Sequence, residues 1–434
     1  MDRLLQETQT WLGQFEWLFG FSNVDILSRC AQMPSSWIRW LEAVHLADLK
    51  AAIQGRYGSD MAESNLPHEV QAFFLVRCRL QDQFRAHLCR NILEQALPHP
   101  TSSFVLHNDG IPAKKRHEIT RLSQFIGQAC QTHSLRKVVD VGSGLSYLDE
   151  ILVRQWNLSV LAIEGNSSHM ERARLRTLDL NPASLRLKKA FIANASDLKT
   201  CLADFLDDPD EPLSLIGLHC CGDLTPNLLR LFLQLPNLRM ISLVPCCYHQ
   251  IGPQSPNLCL SNASMNSRYS NSLHTHFARR LAAQASVSQW LEQTVADHEA
   301  HQIQFGVRAA VQTWVRKHGA SLKKRTRRGY RRSDSPRTVG GALEAFWGRF
   351  ELQSDQESDP ADLLSWVLSH EPSFPLLEKL TGLQMSLQLL LENCILWDLV
   401  EFLRDNGLTN ASLIELFHAN ISPRNKVLHA TKGD

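Results

Sequence analysis

The strongest structural signal in this 434-residue sequence is the stretch Val138-Val139-Asp140-Val141-Gly142-Ser143-Gly144. An apolar, β-branched run that breaks into Gly-x-Gly is typical of a buried strand that turns sharply into a helix. The run Leu161-Ala162-Ile163-Glu164 follows and ends a second strand with an acidic residue. Its carboxylate can accept hydrogen bonds from both hydroxyls of a ribose. Together the two stretches predict a nucleoside-bearing cofactor, although similar turns also occur where nothing binds.

Strands and helices alternate regularly after this turn. Helices are expected over residues 147–155, 167–178, 196–205 and 224–233, and strands over 159–164, 185–192, 213–219 and 240–244. Short links between strands and crossover helices predict an α/β fold with a doubly wound, Rossmann-like parallel sheet. Ligands of such sheets bind beyond the carboxyl ends of the strands, so the functional residues should lie there.

Polar residues follow five successive predicted strands, which packing alone does not explain. In strand order they are Asp140 with the glycines, Glu164, Asn194 with Asp197, His219-Cys220-Cys221-Gly222-Asp223, and Pro245-Cys246-Cys247-Tyr248-His249. Two neighbouring strand ends thus bring cysteine pairs together, which invites a zinc hypothesis. Adjacent cysteines lack the two-residue spacing of structural zinc sites, so we expect no bound metal.

Bulk properties exclude few classes of protein. The net charge of +1 gives no global field that would favour nucleic acid or membranes. Eleven cysteines, an odd number, without a secretory leader indicate reduced thiols in the cytoplasm or nucleus, in a protein that is not secreted. The apolar window 383–403 contains Glu392 and Asp398 and reads as a core helix, so no transmembrane segment is expected. The oligomeric state is left open.

Four consecutive segments are expected. They are a helical N-terminal region at 1–108, a catalytic core at 109–320, a flexible basic and then acidic insertion at 321–360, and a helical segment at 361–434. In the last segment, the run 427–430 is an expected edge strand that completes the sheet. The insertion carries the basic run 323–332, which either holds a phosphate backbone, acts as a nuclear-import signal, or is solvated and disordered.

Five motifs together resemble one known family. They are Lys114-Lys115-x-His117-Glu118, Asp140-Val141-Gly142-Ser143-Gly144, Leu218-His219-x-Cys221-Gly222-Asp223-Leu224, Cys246-Cys247-Tyr248-His249 and Ser422-Pro423-Arg424-Asn425. The sequence resembles the methyltransferase-like protein 25 family, which includes proteins labelled ribosomal RNA adenine dimethylase domain-containing. A more distant likeness exists to tRNA ribose methyltransferases. The resemblance implies a class I methyltransferase sheet and S-adenosyl-L-methionine as the cofactor.

The resemblance implies a role for each strand end. Asp140, Gly142, Ser143 and Gly144 would hold the methionine end of the cofactor, Glu164 the ribose, and Asn194 or Asp197 the adenine edge. His219 and Asp223 are the candidates for orienting or deprotonating the methyl acceptor. The alternative is that Asp223 caps the next helix and His219 is a satisfied rim residue. The remaining candidates contact the substrate, and they are Lys114, Lys115, His117, Cys247, Tyr248 and His249.

Two positions depart from the family pattern. Ser146 replaces a third glycine, and Asp149 stands where serine is usual. Serine is small and a good helix cap, so modest weakening of cofactor binding is expected.

The leading hypothesis is a methyltransferase with a macromolecular acceptor, RNA being favoured slightly over protein because of the basic run. The alternative is a non-catalytic binding or scaffold protein that retains the fold. The sequence also lacks the Asn/Asp-Pro-Pro-aromatic motif of enzymes that methylate exocyclic base amines. Its absence speaks against the adenine dimethylase label.

Overall fold

The structure contains a parallel sheet whose first strand ends at the predicted glycine turn. The computed structural model describes residues 1–30, 32–56, 66–89, 110–252, 255–267, 273, 275–325, 336–353 and 360–433. Its strands are β1 (Lys137–Val141), β2 (Ser159–Glu164), β3 (Leu185–Lys189), β4 (Leu213–Cys221), β5 (Leu238–Cys246), β6 (Ser321–Lys324), β7 (Phe350–Gln353), β8 (Ser412–Glu415) and β9 (Lys426–Thr431).

The main sheet has seven strands in the order β3-β2-β1-β4-β5-β9-β8. Strands β1 to β5 pair in parallel, whereas β9 runs antiparallel to both β5 and β8. The order reverses between β2 and β4 on either side of β1, so the crevice at the end of β1 is the topological switch point where ligands bind. The predicted doubly wound fold is confirmed, with an antiparallel strand inserted at one end of the sheet.

The last strand differs from its prediction as an edge strand. β9 lies inside the sheet between β5 and β8, and Val427, Leu428 and Ala430 are fully buried. The outer position belongs to β8, whose four residues gave no recognisable strand pattern. The continuous apolar run of β9 has the composition of a strand covered on both faces, which explains its interior place.

Helices cover both faces of this sheet or belong to the second unit described below. They are α1 (Asp2–Gly13), α2 (Glu16–Phe19), α3 (Ile26–Cys30), α4 (Ser35–Ala43), α5 (Leu46–Ile53), α6 (His68–Ala86), α7 (Ala113–Thr132), α8 (Tyr147–Trp156), α9 (Ser167–Arg176), α10 (Ala195–Leu202), α11 (Leu224–Gln234), α12 (Asn262–Met265), α13 (His276–Ala282), α14 (Val287–Leu291), α15 (Val295–Lys317), α16 (Val339–Trp347), α17 (Pro360–His370), α18 (Phe374–Ser386) and α19 (Gln388–Asp405). Among the described helices, none is long and apolar enough to cross a membrane.

The chain divides into two units that are interleaved in sequence. The first comprises residues 1–11, 82–284 and 391–434 and contains the seven-stranded sheet. The second comprises residues 12–81 and 285–390. The four predicted segments follow one another and do not coincide with these units. Hydrophobic periodicity identifies single helices but not the distant helices against which they pack, so sequence reasoning could not find this division.

The second unit is helical and holds a cluster of aromatic rings. Phe15 and Trp37 both pack edge-on against Phe73, with ring centroids 4.8 and 5.3 Å apart. The predicted flexible insertion at 321–360 also falls here. Its described residues include the antiparallel pair β6 and β7 and the helix α16. Most of the basic run, residues 326–332, lies outside the described residues, as does the acidic stretch 354–359.

The first unit has a core on the face of the sheet that α7 and α8 cover. Val138 of β1 and Val160 of β2 are fully buried in this cluster, together with Ile126. Gly127 of α7 faces the indole of Trp156, and a Cβ at this position would lie 2.0 Å from the nearest ring atom. Glycine therefore sets the close approach of the helix to the ring.

We predict that Gly127→Ala destabilises the protein by about 1–3 kcal/mol, because the added methyl group overpacks the Trp156 contact. Urea unfolding followed by circular dichroism measures the change. Gly340→Ala is the matched control, since Gly340 is also helical and a Cβ there would meet nothing within 4 Å. Equal stability of the Gly127→Ala variant and the wild type would contradict this packing argument.

Candidate functional site

The glycine turn after β1 has the backbone that its sequence predicts. Gly142 and Gly144 have φ angles of 85° and 61°, which L side chains rarely adopt. A Cβ on Gly144 would meet nothing within 4 Å, so the turn presents open space there. The turn therefore leaves its backbone accessible to a ligand at the switch point of the sheet.

Glu164 is held against this turn. Its carboxylate accepts a hydrogen bond from the N–H of Gly144 at 2.9 Å and another from the N–H of Asn166 at 2.7 Å. The side chain keeps 13% of its surface exposed, and each oxygen has a lone pair left to accept a further bond. The structure thus brings together Glu164, which was predicted to bind the ribose, and the predicted glycine turn.

Ser146 occupies a left-handed position, with φ 56° and ψ 32°, at the start of α8. Its hydroxyl forms no capping bond and, within the described part of the chain, has no hydrogen-bond partner. The expectation that serine caps this helix was wrong. Arg176 of α9 holds the turn from outside, because its guanidinium donates to the carbonyl oxygens of Leu145 and Ser146 at 3.0 and 2.5 Å. This clamp stabilises a backbone conformation that glycine would adopt without strain.

Asp140 and Asp149 form a buried carboxyl pair behind the turn. Within the described residues, one oxygen of Asp140 and both oxygens of Asp149 are buried without a hydrogen-bond partner. Burial raises the pKa of Asp149 to about 6, and burial together with the negative charge of Asp149 raises the pKa of Asp140 further above its usual range. The pair therefore retains a proton at pH values at which an exposed aspartate is ionised.

Asn194 and Asp197, predicted at the adenine edge, form a capping box at the start of α10. The Asn194 side chain accepts from the N–H of Asp197 at 3.1 Å, and Asp197 accepts from the N–H of Asn194 at 3.1 Å. Their residue types are thus explained by helix capping. A residue that sequence reasoning missed stands nearby: the Phe191 ring is 81% exposed and lies beside Gly165, which directly follows Glu164. An aromatic residue just after a predicted strand was the available signal.

His219 leaves the regular ladder of β4 at a bulge. The register with β5 shifts between Gly217 and Cys220, and His219 has a left-handed φ of 63°. A Cβ on Gly217 would lie 2.3 Å from the sulfur of Cys220, so glycine is required where the bulge begins. The His219 side chain is 33% exposed as a result.

Glu118 of α7 is the partner of His219, and sequence reasoning gave it no role beyond its place in the motif. Its Oε2 lies 3.0 Å from Nε2 of His219, and its Oε1 accepts from the Ser422 hydroxyl at 2.6 Å. Lys114 Nζ lies 3.6 Å from Oε1. Burial alone would raise the pKa of Glu118, but these partners outweigh it and lower the pKa. A charged carboxylate at Nε2 favours the proton on that nitrogen and leaves Nδ1 as the basic atom.

Asp223, the second predicted catalytic residue, binds a loop. It stands at the N-cap position of α11 without a capping bond from its side chain. Its Oδ1 accepts from the Ser255 hydroxyl at 2.5 Å and from the Asn257 amide at 2.7 Å. The geometry favours a structural role in holding residues 255–257, although by a different contact from the predicted cap.

The basic residues of α7 lie beside the turn. The Nζ of Lys115 lies 4.7 Å from the centroid of the Tyr147 ring. Burial and the nearby charges of Arg176 and Arg172 lower the pKa of Lys115. His117 accepts a hydrogen bond from the N–H of His418 at 3.0 Å, which makes it an anchor of the segment after β8. Of the three predicted residues, Lys114 thus contacts the partner of His219, and Lys115 contacts the first residue of α8.

Tyr248 and His249 were predicted to contact a planar acceptor. The Tyr248 ring is 3% exposed, and its hydroxyl donates to Oε1 of Glu392 at 3.0 Å. The ring is therefore interior, because a buried phenol needs a partner and α19 supplies one. His249 is half-buried, and burial and the charges of Arg280 and His276 lower its pKa, so its ring stays neutral.

Three cysteines meet at the ends of β4 and β5. The sulfurs of Cys221 and Cys246 are 3.2 Å apart, and those of Cys221, Cys246 and Cys247 all lie within 4.8 Å of one another. The bond with Cys246 lowers the pKa of Cys221 to about 6. The sequence favoured no metal here, whereas the structure brings together a set of thiols that could hold one.

Comparisons with known proteins agree with this sheet and turn. A protein-family model described as a methyltransferase domain matches residues 114–254. This part of the chain is thus similar to methyltransferase domains. Probable methyltransferase-like protein 25 of Mus musculus is 33% identical over 106 residues, which are 23% of this chain and 18% of that protein. The Homo sapiens protein of the same name is 29% identical over 94 residues, 22% of this chain and 15% of that protein.

The predicted resemblance to this family is confirmed for the methyltransferase domain. The aligned part spans less than a fifth of either relative's length. S-adenosyl-L-methionine is the cofactor that this chain's residues fit, since the open glycine turn and the Glu164 carboxylate lie together at the end of β1.

Three solved structures are similar to this chain at low identity. The methyltransferase domain of bacterial CtHen1-CN has a TM-score of 0.24 and 12% identity, covering 48% of this chain and 88% of its own. The plantazolicin methyltransferase BamL, with a triazolic desmethylPZN analog and SAH, has a TM-score of 0.23 and 10% identity, covering 71% and 99%. Coclaurine N-methyltransferase, bound to N-methylheliamine and SAH, has a TM-score of 0.26 and 12% identity, covering 91% and 98%.

The Asp140 and Asp149 pair predicts a pH dependence of stability. Because the pKa of Asp149 is raised in the folded state, the folded protein binds more protons than the unfolded chain between about pH 4 and pH 6. Its contribution to stability is therefore full below pH 4 and is lost as the pH rises through 6. We predict that Asp149→Asn stabilises the protein by about 1–3 kcal/mol at pH 8 and by less at pH 5.

Thermal melting of both proteins from pH 5 to pH 8 measures this difference. Asp210→Asn is the control, because Asp210 is an exposed aspartate outside the site. A gain that does not grow with pH would show that the pKa of Asp149 is not raised in the folded protein.

Proposed function

We propose that this chain is an S-adenosyl-L-methionine-dependent methyltransferase that acts on RNA. The observation that carries the methyltransferase assignment is the contact between Glu164 and the glycine turn at the end of β1. It joins the carboxylate that would bind the ribose to a left-handed backbone that leaves room for a ligand. The matching family model over residues 114–254 supports the same activity.

The chain's own residues account for cofactor binding. Glu164 would accept hydrogen bonds from the ribose hydroxyls, and the backbone of Gly142 to Gly144 would hold the methionine end. Phe191, exposed beside Gly165, would stack on the adenine. Asn194 and Asp197 would keep the backbone after β3 in place through their capping box. When bound, the cofactor supplies an electrophilic methyl group on a positively charged sulfur.

His219 would act as the base for the acceptor. Glu118 holds its Nε2, which leaves Nδ1 free to accept a proton from the acceptor. The hydroxyl oxygen or amine nitrogen of the acceptor would lose this proton to Nδ1 as it attacks the methyl group. The bulge exposes the imidazole at the strand end, where acceptors bind in doubly wound sheets. Asp223 would shape the acceptor side by holding the loop with Ser255 and Asn257.

Positive charge beside the turn supports an RNA acceptor over a protein. Lys115 of α7 lies close enough to Arg172 and Arg176 of α9 for their charges to lower its pKa, whereas Lys114 faces Glu118 and Arg176 pairs with Glu150. Such a cluster would attract phosphates of a nucleic acid backbone, since the net charge of the whole chain, +1, provides no general attraction.

A second candidate function is a non-catalytic binding protein that retains the fold. The strained Ser146 and the buried Asp149 behind the turn favour it, because both depart from the family pattern at the cofactor loop. The Arg176 clamp on the carbonyls of this loop argues against it, since the turn keeps its shape despite the serine.

We predict that Phe191→Ala weakens binding of S-adenosylhomocysteine about fivefold to tenfold, as expected for the loss of one aromatic stacking contact. Isothermal titration calorimetry measures the affinity. Leu178→Ala is the matched control, because Leu178 is 77% exposed and equally apolar but lies outside the site. Affinities that remain equal in the two variants would place the adenine elsewhere.

The enzymatic proposal predicts transfer of label from methyl-labelled cofactor to RNA. The full chain is incubated with a cell extract, and the product is treated with ribonuclease or protease before counting. We expect that ribonuclease removes the label, and that Glu164→Gln lowers incorporation at least tenfold because it removes a charged hydrogen-bond acceptor. Glu171→Gln, an exposed change on α9, should have no effect.

His219→Ala separates catalysis from binding in the same assay. It should lower the rate about 100-fold or more while the affinity for S-adenosylhomocysteine stays unchanged. Label that resists ribonuclease and yields to protease would reassign the acceptor to protein. Cofactor binding without label in any extract component would favour the non-catalytic alternative.

A further inference from the structure

Parallel pairing places the thiols of Cys221 and Cys246 side by side at the ends of β4 and β5. The two residues are register partners, and their sulfurs are 3.2 Å apart. Cys247 follows directly, and all three sulfurs lie within 4.8 Å of one another. A tetrahedral zinc ion with zinc–sulfur bonds of about 2.3 Å needs sulfurs roughly 3.8 Å apart. The cluster therefore has the size of one coordination shell.

The backbone explains how adjacent cysteines can serve one ion. Successive side chains of a strand point to opposite faces, so Cys246 and Cys247 would diverge if β5 continued. Cys247 instead adopts a left-handed conformation with φ 52°, which ends the strand and brings its sulfur to the same side. A non-glycine residue in this region is strained, and such strain is concentrated at functional sites. Cys220, the neighbour of Cys221, is buried and outside the cluster.

Charge and exposure indicate the kind of ion and its coordination. Three thiolates suit a soft or borderline ion such as zinc. Cys221 is exposed, whereas Cys246 is buried, so the cluster opens to solvent on one side. Catalytic zinc sites have three protein ligands and one open position, and structural sites have four ligands.

We propose that Cys221, Cys246 and Cys247 bind a zinc ion through three thiolates and leave its fourth position open to solvent. The site belongs to the same strand ends as His219, yet it requires neither the cofactor nor methyl transfer. A small ligand with a thiol, imidazole or water oxygen would complete the coordination.

The test is the metal content of the full chain after purification under anaerobic, reducing conditions. We expect inductively coupled plasma mass spectrometry to find one zinc per chain in the wild type. The Cys221→Ser and Cys246→Ser variants should lose the metal. Cys220→Ala is the matched control, because it removes the adjacent thiol that lies outside the cluster, and it should retain the metal. Melting curves and S-adenosylhomocysteine binding verify that each variant is folded.

Cobalt substitution gives an independent measure of the ligands. The intensity of the thiolate-to-cobalt absorption should fall by about a third in Cys247→Ser, as expected for two thiolates in place of three. A metal-free wild type, purified under the same reducing conditions, would overturn the proposal. Zinc that persists in all three cysteine variants would also overturn it, because the ion would then be bound elsewhere.

Discussion

The buried carboxylate of Glu118 connects three parts of the chain that are far apart in sequence. It reaches from α7 to His219 at the end of β4 and to Ser422 before β9. Removing a charged group from water is costly, and here hydrogen bonds and the Lys114 charge compensate for it. The partly exposed imidazole of His219 is thereby fixed relative to α7, which precedes the sheet, and to β9, the last strand of the chain. The proposed chemistry depends on this arrangement more than on any single strand.

Left-handed backbone recurs at the carboxyl edge of the sheet. Gly142 and Gly144 adopt it in the turn after β1, and Ser146, His219 and Cys247 adopt it although they carry side chains. The non-glycine residues are held by specific contacts, such as the Arg176 clamp at Ser146 and the Glu118 bond at His219. In a regular strand, successive side chains point to opposite faces of the sheet. The left-handed residues depart from this alternation at the strand ends.

Local patterns predicted much of the first unit. Apolar runs and their spacing placed β2 at its observed residues and put β1 at the centre of a doubly wound sheet, because both signals depend on neighbouring residues alone. Glu164 was likewise identified from its place after a strand. The partners of buried polar groups were not predictable in this way. The hydrogen-bond partners of Glu118 and Tyr248 are His219 and Glu392, each more than 100 residues away, so no local pattern predicts them.

Helix capping explains another part of the disagreement. Asn194 and Asp197 were assigned to a ligand, yet the same residue types satisfy the free N–H groups of a helix end. Conversely, Asp223 was considered as a cap and instead holds a loop. Short polar side chains at strand ends can serve either purpose. Only the hydrogen-bond partners in the folded structure distinguish ligand binding from helix capping. The glycines of the turn differ, because their residue type alone indicates the backbone conformation that they adopt.

The position of β9 has a consequence for synthesis on the ribosome. β5 ends at Cys246, and the strand that pairs with its outer edge begins only at Lys426. Until then, β5 presents unpaired N–H and C=O groups while the whole of 285–390 is still being made. Unpaired edges of this kind recruit other strands, including those of neighbouring chains. We therefore expect the nascent sheet to need protection, by chaperones or by its own helices, until β9 closes it.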